Sequence, residues 1–257
     1  MVRVDLNCDM GESFGAFTIG DDAAILPFVS SINIACGFHG GDPSVMRTTV
    51  LAAKAHHVAI GAHPGLPDLI GFGRREIAVT PQEVYDMITF QVGALRGVAG
   101  AAGVSVCHVK PHGALYNMAA VRRPLADAIA TAVRDIDPTL ILVGLSGSAL
   151  VDAGKVLGVR TASEVFADRN YRSDGTLVPR STADALVTDA DTAAARAVRM
   201  VQAHSVTSID GSDVRVTADT LCIHGDAPQA PLFAQRIRAA LREAGIDVLA
   251  PTASLHP

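Results

Sequence analysis

The stretch VRVDLNCDM, residues 2–10, alternates along its length. Side chains of a β-strand project to opposite faces in turn, so Val2, Val4 and Leu6 share one face and Arg3, Asp5 and Asn7 the other. Asp5, Asn7 and Asp9 therefore stand together. A buried carboxylate without a partner is expensive, so such groups are paired, solvated or put to use. Two readings follow: a solvated edge strand, or one stave of a functional mouth. The rest of the chain decides between them.

Similar β-branched runs recur as SSINIAC, HVAIGAH, VSVCHVK, TLILVGL, GVRTASEVFA and TLCIHGD, with a weaker IDVLA near residue 247. Helical patterns separate most of them. Asp42-Pro43 has the N-cap and first-turn form, and Thr80-Pro81-Gln82-Glu83 reads as a capping box. RRPLADAIATAVRD, SALVDAGKVLG, TAAARAVRMVQAH and PLFAQRIRAALREAG supply four more helices. VTSIDGSDVRV reads as a hairpin turning at Asp210-Gly211. Strands alternating with helices predict an α/β fold with a parallel sheet, either a closed barrel or a doubly wound sheet. With no linker or low-complexity tract, residues 1–257 are expected to form a single domain. Neither G-x-G-x-x-G after a strand nor G-x-x-x-x-G-K-[ST] occurs, so both common nucleotide fingerprints are missing.

Composition narrows the function. The chain is 49% hydrophobic but only 4% aromatic, without Trp, so its core is built of Ala, Val, Leu and Ile. A formal charge of −5 without a basic run argues against nucleic acid as a partner. AAILPFVSSINIAC is too short to span a membrane, and Pro27 interrupts it. The first strand begins at Val2 with no basic or apolar leader ahead of it, which predicts a cytoplasmic protein. Cys8, Cys36, Cys107 and Cys222 form no C-x-x-C and read as small hydrophobes in a reducing compartment.

Polar residues cluster where strands end: Asp5, Asn7, Asp9 and Glu12; Asn33 and His39; His63; His108, Lys110 and His112; Glu164 and Asp168; His224 and Asp226. Parallel βα folds bind ligands at the carboxyl ends of their strands. A lone loop histidine is usually structural, but six strands delivering polar groups to one rim point to a site. Lys110 lies in a strand of Val and Cys, so it either pairs with a carboxylate or has its pKa lowered for chemistry. Arg74-Arg75 reads either as an anion clamp or as a solvated turn. EVFADRNYRSDGTLVPR has the character of a lid or partner surface. Histidines beside Asp9 suit a divalent metal of the Asp/His/His type, or equally acid–base work without one.

DLNCDMGESFG (5–15), NIACGFHGGDP (33–43), GAHPGLPDLIGFGRRE (61–76), HVKPHGALYN (108–117), EVFADRNYRSDGTLVPR (164–180) and IHGDAP (223–228) together resemble the YcsF-like family of 5-oxoprolinase A subunits. The resemblance runs in order from Asp5 to about Gly245, and departures at Phe17 and Gly41 touch no polar motif residue. It implies an incomplete (β/α) TIM-like barrel of the glycoside hydrolase/deacetylase type, with about seven parallel strands. It also implies ATP-dependent hydrolysis of 5-oxo-L-proline (pyroglutamate) to L-glutamate together with two partner subunits. ATP then enters as co-substrate, bound wholly or partly with the partners. Asp9, His39, His63, Lys110, His112 and His224 are the expected catalytic set. Asn7, Glu12, Arg74, Asn117, Arg172 and Asp226 are the expected substrate-binding set. The alternatives are a stand-alone metal-dependent amidohydrolase or deacetylase, and a non-catalytic substrate-binding subunit.

Overall fold

The computed structural model describes residues 2–225 and 229–251. Its strands are β1 (Arg3–Met10), β2 (Ser31–Ala35), β3 (Ala59–His63), β4 (Val106–Val109), β5 (Ile141–Leu145), β6 (Arg160–Phe166), β7 (Ser205–Thr207), β8 (Asp213–Arg215), β9 (Thr220–Ile223) and β10 (Asp247–Val248). The main sheet has eight parallel strands, of which β10 pairs only with β1. The other seven close into a ring, because β1 pairs with β9 as well as with β2. The barrel is one strand short of a full (β/α)₈ ring and is closed without it. Strands β7 and β8 form the expected antiparallel hairpin around Asp210-Gly211.

The helices follow their caps. The Asp21 carboxylate accepts from the Ala24 amide and opens the single turn of α1 (Asp22–Ile25). The Asp42 carboxylate accepts from the Ser44 and Val45 amides and opens α2 (Pro43–Ala55). Thr80 and Glu83 make the reciprocal capping box of α3 (Pro81–Ala101). Helix α4 (Gly113–Val121) is not among the helices read from the sequence; it starts at Gly113, two residues past Pro111. Helices α5 (Arg123–Ile136), α6 (Ala149–Val156), α7 (Ala190–Gln202) and α8 (Ala230–Glu243) fall on the four periodic segments. Among the described residues no helix is long and apolar enough to cross a membrane.

Most barrel strands, β5 (ILVGL) excepted, have one apolar and one polar face. Outward, Leu6, Cys8 and Met10 of β1, Ile32 and Ile34 of β2 and Leu221 of β9 join the main apolar core under the helices. Inward, Asp5, Asn7, Asp9, Asn33, His63, His108, Lys110 and Glu164 are all buried. Ile141, Val143 and Ala162 make a separate apolar cluster. Gly61 makes this interior possible. A Cβ there would stand 2.0 Å from His108 Nε2. The imidazole instead lies across β3 and reaches Asn33 Oδ1 at 2.8 Å.

At the base of the barrel, Asp5 accepts from the Ser30, Ser31 and Thr220 hydroxyls. Burial dominates over these bonds and raises the Asp5 carboxyl from 3.8 to about 6. A folded-state pKa above the unfolded one gives stability that is full below the unfolded value and lost as pH rises through the folded value.

Two outcomes test this interior. Gly61→Ala should destabilise the fold by about 3 kcal/mol in urea unfolding, from overpacking plus a lost hydrogen bond. Gly93→Ala is the control: it lies in α3, where a Cβ meets nothing within 4 Å, and it should stabilise by about 0.5–1 kcal/mol. For Asp5, the stability of wild type relative to Asp5→Asn should fall by roughly 3 kcal/mol between about pH 4 and about pH 7. A difference that is flat with pH would mean that the Asp5 pKa is the same in the folded and unfolded states.

Candidate active site

The carboxyl ends of the strands open into a cleft of about 740 Å³. Its floor is the top of the polar interior, and Lys110 is its centre. The ammonium donates to Asp9 Oδ1 at 2.9 Å, Asn7 Oδ1 at 3.3 Å and Cys222 Sγ at 3.0 Å, and pairs with Glu164 Oε1 at 2.9 Å. Burial alone would lower the lysine's pKa, but Asp9, Cys222 and Glu164 outweigh it and hold it well above the ordinary lysine value. Lys110 is therefore a fixed cation, and the expectation of a lysine with lowered pKa gives way to the pairing alternative. Burial likewise pushes Asp9 up, while His63 and Lys110 pull it further down, well below the usual carboxylate range. Tyr116 of α4 donates to Glu164 Oε2 at 2.7 Å, which completes that carboxylate's shell.

Beside Asp9 lies a histidine cluster. His63 Nε2 is 3.3 Å from Asp9 Oδ2 and 2.9 Å from His112 Nδ1. His39 stacks on His112 with centroids 3.6 Å apart. Glu12 Oε1 sits 3.1 Å from His39 Nε2 and 3.4 Å from His112 Nδ1. Burial first, then neighbouring imidazoles, holds both His39 and His112 well below the ordinary histidine pKa, so both rings are neutral near pH 7. The loop glycines serve these rings. A Cβ at Gly73 (φ +63°) would come within 2.7 Å of His112 Cδ2, so the backbone packs directly on the stack. One ligand atom each from Glu12, His39, His63 and His112 lies within 4.8 Å of the others, and a second set joins Asp9, Cys222 and His224.

The mouth is basic. Arg74, Arg169, Arg172 and Arg180 all line the cleft. Arg74 stacks over Phe72 at 4.8 Å. Arg169 is 4% exposed, and its buried Nε has no hydrogen-bond partner among the described residues. Burial, and then repulsion from Arg180, lowers the Arg169 pKa to about 10. Such a concentration of guanidinium groups suits an anionic ligand. Arg75 turns away and pairs with Asp68, which reduces the expected Arg74-Arg75 clamp to Arg74.

The structure thus brings Asp9, Glu12, His39, His63, Lys110 and His112 to one floor. His224 lies across the cleft, bonded to Asp168 Oδ2 at 2.7 Å and stacked on Phe166. Asn117 and Arg172 line the wall. Asn7 sits beneath the cleft, where Glu164, Thr220, Asn33 and Lys110 take up its amide. Asp226 lies outside the described residues. Glu164, Tyr116, Arg169, Arg180 and Cys222 are site residues outside the expected catalytic and substrate-binding sets, although Glu164 is among the polar residues read at the strand ends. The first four stand in the polar motifs and are open to inclusion there, but Cys222 in TLCIHGD carries no signal beyond a small apolar residue.

The LamB/YcsF family pattern matches residues 4–256. The 5-oxoprolinase A subunit of Bordetella pertussis is 60% identical over 247 residues, covering 96% of this chain and 98% of that one. The crystal structure of the lactam utilization protein from Thermus thermophilus superposes with a TM-score of 0.92 at 51% identity, covering 97% of this chain and all of that one. The catalytic domain of peptidoglycan N-acetylglucosamine deacetylase from Eubacterium rectale shares the fold at a TM-score of 0.52 and 11% identity, over 99% of this chain and 90% of that one.

Lys110→Met should cost about 3–5 kcal/mol in equilibrium unfolding, because it leaves Asp9 and Glu164 buried without their cation. The double variant Lys110→Met/Glu164→Gln should recover part of that loss. A single variant as stable as wild type would show that the ammonium does not neutralise the interior.

Proposed function

Because this chain belongs to the LamB/YcsF family, we propose that it is the A subunit of an ATP-dependent 5-oxoprolinase, opening 5-oxo-L-proline to L-glutamate with two partner subunits. The observation that carries the reading is one cleft with a fixed ammonium and neutral imidazoles at its floor and four arginines at its mouth. Opening a lactam needs three things: a water activated against C5, stabilisation of the negative charge that develops there, and a proton for the departing nitrogen.

An unstrained five-membered lactam is a poor substrate for water alone, which rationalises coupling to ATP. Phosphorylation of the lactam oxygen makes C5 electrophilic. Water then adds at C5. Expulsion of phosphate from that adduct would only regenerate the lactam, so productive turnover requires protonation of the nitrogen and cleavage of the C5–N bond. The acyl phosphate so released is hydrolysed by a second water to glutamate and phosphate. In this scheme the Asp9, Glu12, His39, His63 and His112 cluster activates water and manages the protons. Lys110 offsets charge at C5. Arg74 and Arg172 hold the substrate carboxylate, and Arg169 and Arg180 face the phosphoryl group. ATP itself is handled with the partners.

The test is glutamate release from 5-oxo-L-proline by this chain alone, by the two partners without it, and by all three with ATP. Glutamate is expected only from the full mixture. His112→Ala should lower that rate by about 10²–10⁴-fold, and Arg172→Ala should raise KM more than it lowers kcat. Hydrolysis by this chain alone without ATP would overturn the reading in favour of a stand-alone amidohydrolase. Full activity in both His63→Ala and His112→Ala would overturn the assignment of the cluster.

A further inference from the structure

The hydrogen bonds of His63 and His112 fix which nitrogen of each ring carries the proton. His63 Nδ1 lies 2.8 Å from the Lys110 carbonyl, and His112 Nε2 lies 2.8 Å from the Phe72 carbonyl. A carbonyl oxygen only accepts, so each of these nitrogens bears the N–H. Phe72 reaches this position with φ of 55°, a left-handed conformation uncommon for so large a residue. The remaining nitrogens, His63 Nε2 and His112 Nδ1, face each other at 2.9 Å, and Asp9 Oδ2 lies 3.3 Å from His63 Nε2. Glu12 Oε1 approaches His112 Nδ1 to 3.4 Å, which brings in another electron-rich atom. Three ligand-type atoms, Glu12 Oε1, His63 Nε2 and His112 Nδ1, converge on one point that opens to the cleft, since all three residues line it. Something electropositive belongs there.

We propose that Glu12, His63 and His112 bind one divalent transition-metal ion. A proton shared between the two rings would join one nitrogen pair only; a metal ion also engages Glu12 Oε1, which His39 Nε2 orients. Ligands at about 2.1 Å from an ion stand about 3.0 Å apart at right angles and about 3.4 Å apart in a tetrahedron. The observed separations of 2.9 and 3.4 Å match these values. The His63 and His112 rings are 85° apart, so their in-plane lone pairs can meet at one centre. His39 lies within 2° of parallel to His112 and cannot direct a lone pair to that centre. It serves instead as a positioning residue, donating from Nε2 to Glu12 Oε1.

Each ligand then has its own outer partner: a carbonyl for His63, a carbonyl for His112 and an imidazole for Glu12. Histidine ligands of metals are regularly oriented in this way. Two imidazoles and a carboxylate favour a borderline ion such as Zn²⁺ or Co²⁺ over Ca²⁺ or Mg²⁺. The other set, Asp9, Cys222 and His224, is the poorer candidate. Lys110 Nζ sits 2.9 Å from Asp9 Oδ1 and 3.0 Å from Cys222 Sγ, so an ammonium already holds that position. Bound between Glu12 and the two histidines, the ion supplies a Lewis acid facing the cleft. This deepens the lactam-opening reading by stating how the cluster activates water.

The full chain, stripped with a chelator and dialysed, is titrated with Co²⁺ while visible absorption and thermal unfolding are followed. One Co²⁺ per chain is expected, with a visible band from nitrogen and oxygen ligands, a raised Tm, and displacement by Zn²⁺. His112→Ala and Glu12→Gln should abolish the band. His39→Phe, which keeps a stacking ring and removes the donor, should weaken binding by roughly 10- to 100-fold, while Cys222→Ser leaves it unchanged. Absence of both band and Tm shift at millimolar Co²⁺ in the wild-type chain overturns the proposal, and so does a band lost in Cys222→Ser but kept in His112→Ala. These readouts use no substrate, ATP or partner. A failed titration would therefore leave the lactam reading standing, and a failed activity test would leave the ion site standing.

Discussion

The ammonium of Lys110 is the constraint on which the barrel interior depends. It extends from just past the end of β4 to side chains of β1, β6 and β9, reaching Asp9, Glu164, Asn7 and Cys222 within 3.3 Å. Without a cation the interior would bury Asp5, Asp9 and Glu164 with no counter-charge at its centre, and buried carboxylates in that position protonate or open to water. With it, Asp9 is held well below the usual carboxylate range, while Asp5 at the barrel base, where three hydroxyls replace the missing cation, is raised to about 6. A buried ion pair of this kind contributes little net stability over an apolar isostere, although breaking it is expensive. Its effect is on arrangement. One group with three N–H bonds fixes four strands relative to one another.

The histidines above it are held by a different device. His63 and His112 are pinned through their far nitrogens to main-chain carbonyls, one at the end of β4 and one in the 61–76 loop. Glycine at position 73 lets that loop lie flat against the stacked rings. Glycine-rich loops at a barrel mouth read most naturally as places where backbone approaches a ligand; here Gly73 lets backbone approach the site's own side chains. The floor of the cleft is consequently rigid before any ligand arrives, which is the condition under which fixed charges stabilise a transition state. The arginines differ. Arg74 and Arg172 sit on loops at the rim, where a ligand's own charge can draw them in.

Local chemistry explains how much of this is readable from sequence. The alternation in β1, the capping box at Thr80 and the hairpin at Asp210-Gly211 are signals within a few residues of chain, and each reappears in the fold. The gathering of polar groups at strand ends follows from the parallel topology alone. Partnerships are not readable, because they join residues far apart in sequence. Nothing near Lys110 says that it meets Glu164 and not a substrate. Gly61 lies within an ordinary strand pattern, and only the ring of His108, its partner on the neighbouring strand, explains it. Arg75 is the converse case. Its neighbour Arg74 lines the cleft, whereas Arg75 is claimed by Asp68 seven residues earlier in the same loop, a local pairing that the loop's length conceals.

The two faces of β1 show why such a polar interior can coexist with a stable fold. Leu6, Cys8 and Met10 pack outward against helices rich in alanine, and Asp5, Asn7 and Asp9 point inward to their partners. A slip of one residue in the pairing of β1 with β2 would exchange the faces. It would put three polar groups under the helices without partners and three apolar side chains among the hydroxyls, amides and ammonium. In a barrel with an apolar interior the same slip is opposed mainly by the outward face, since any hydrophobe of similar volume is tolerated inside. Here both faces oppose it. The residues that would serve chemistry at the mouth therefore also specify the register of the strands below, and substitutions among them should disturb the uniqueness of the fold as well as the reaction.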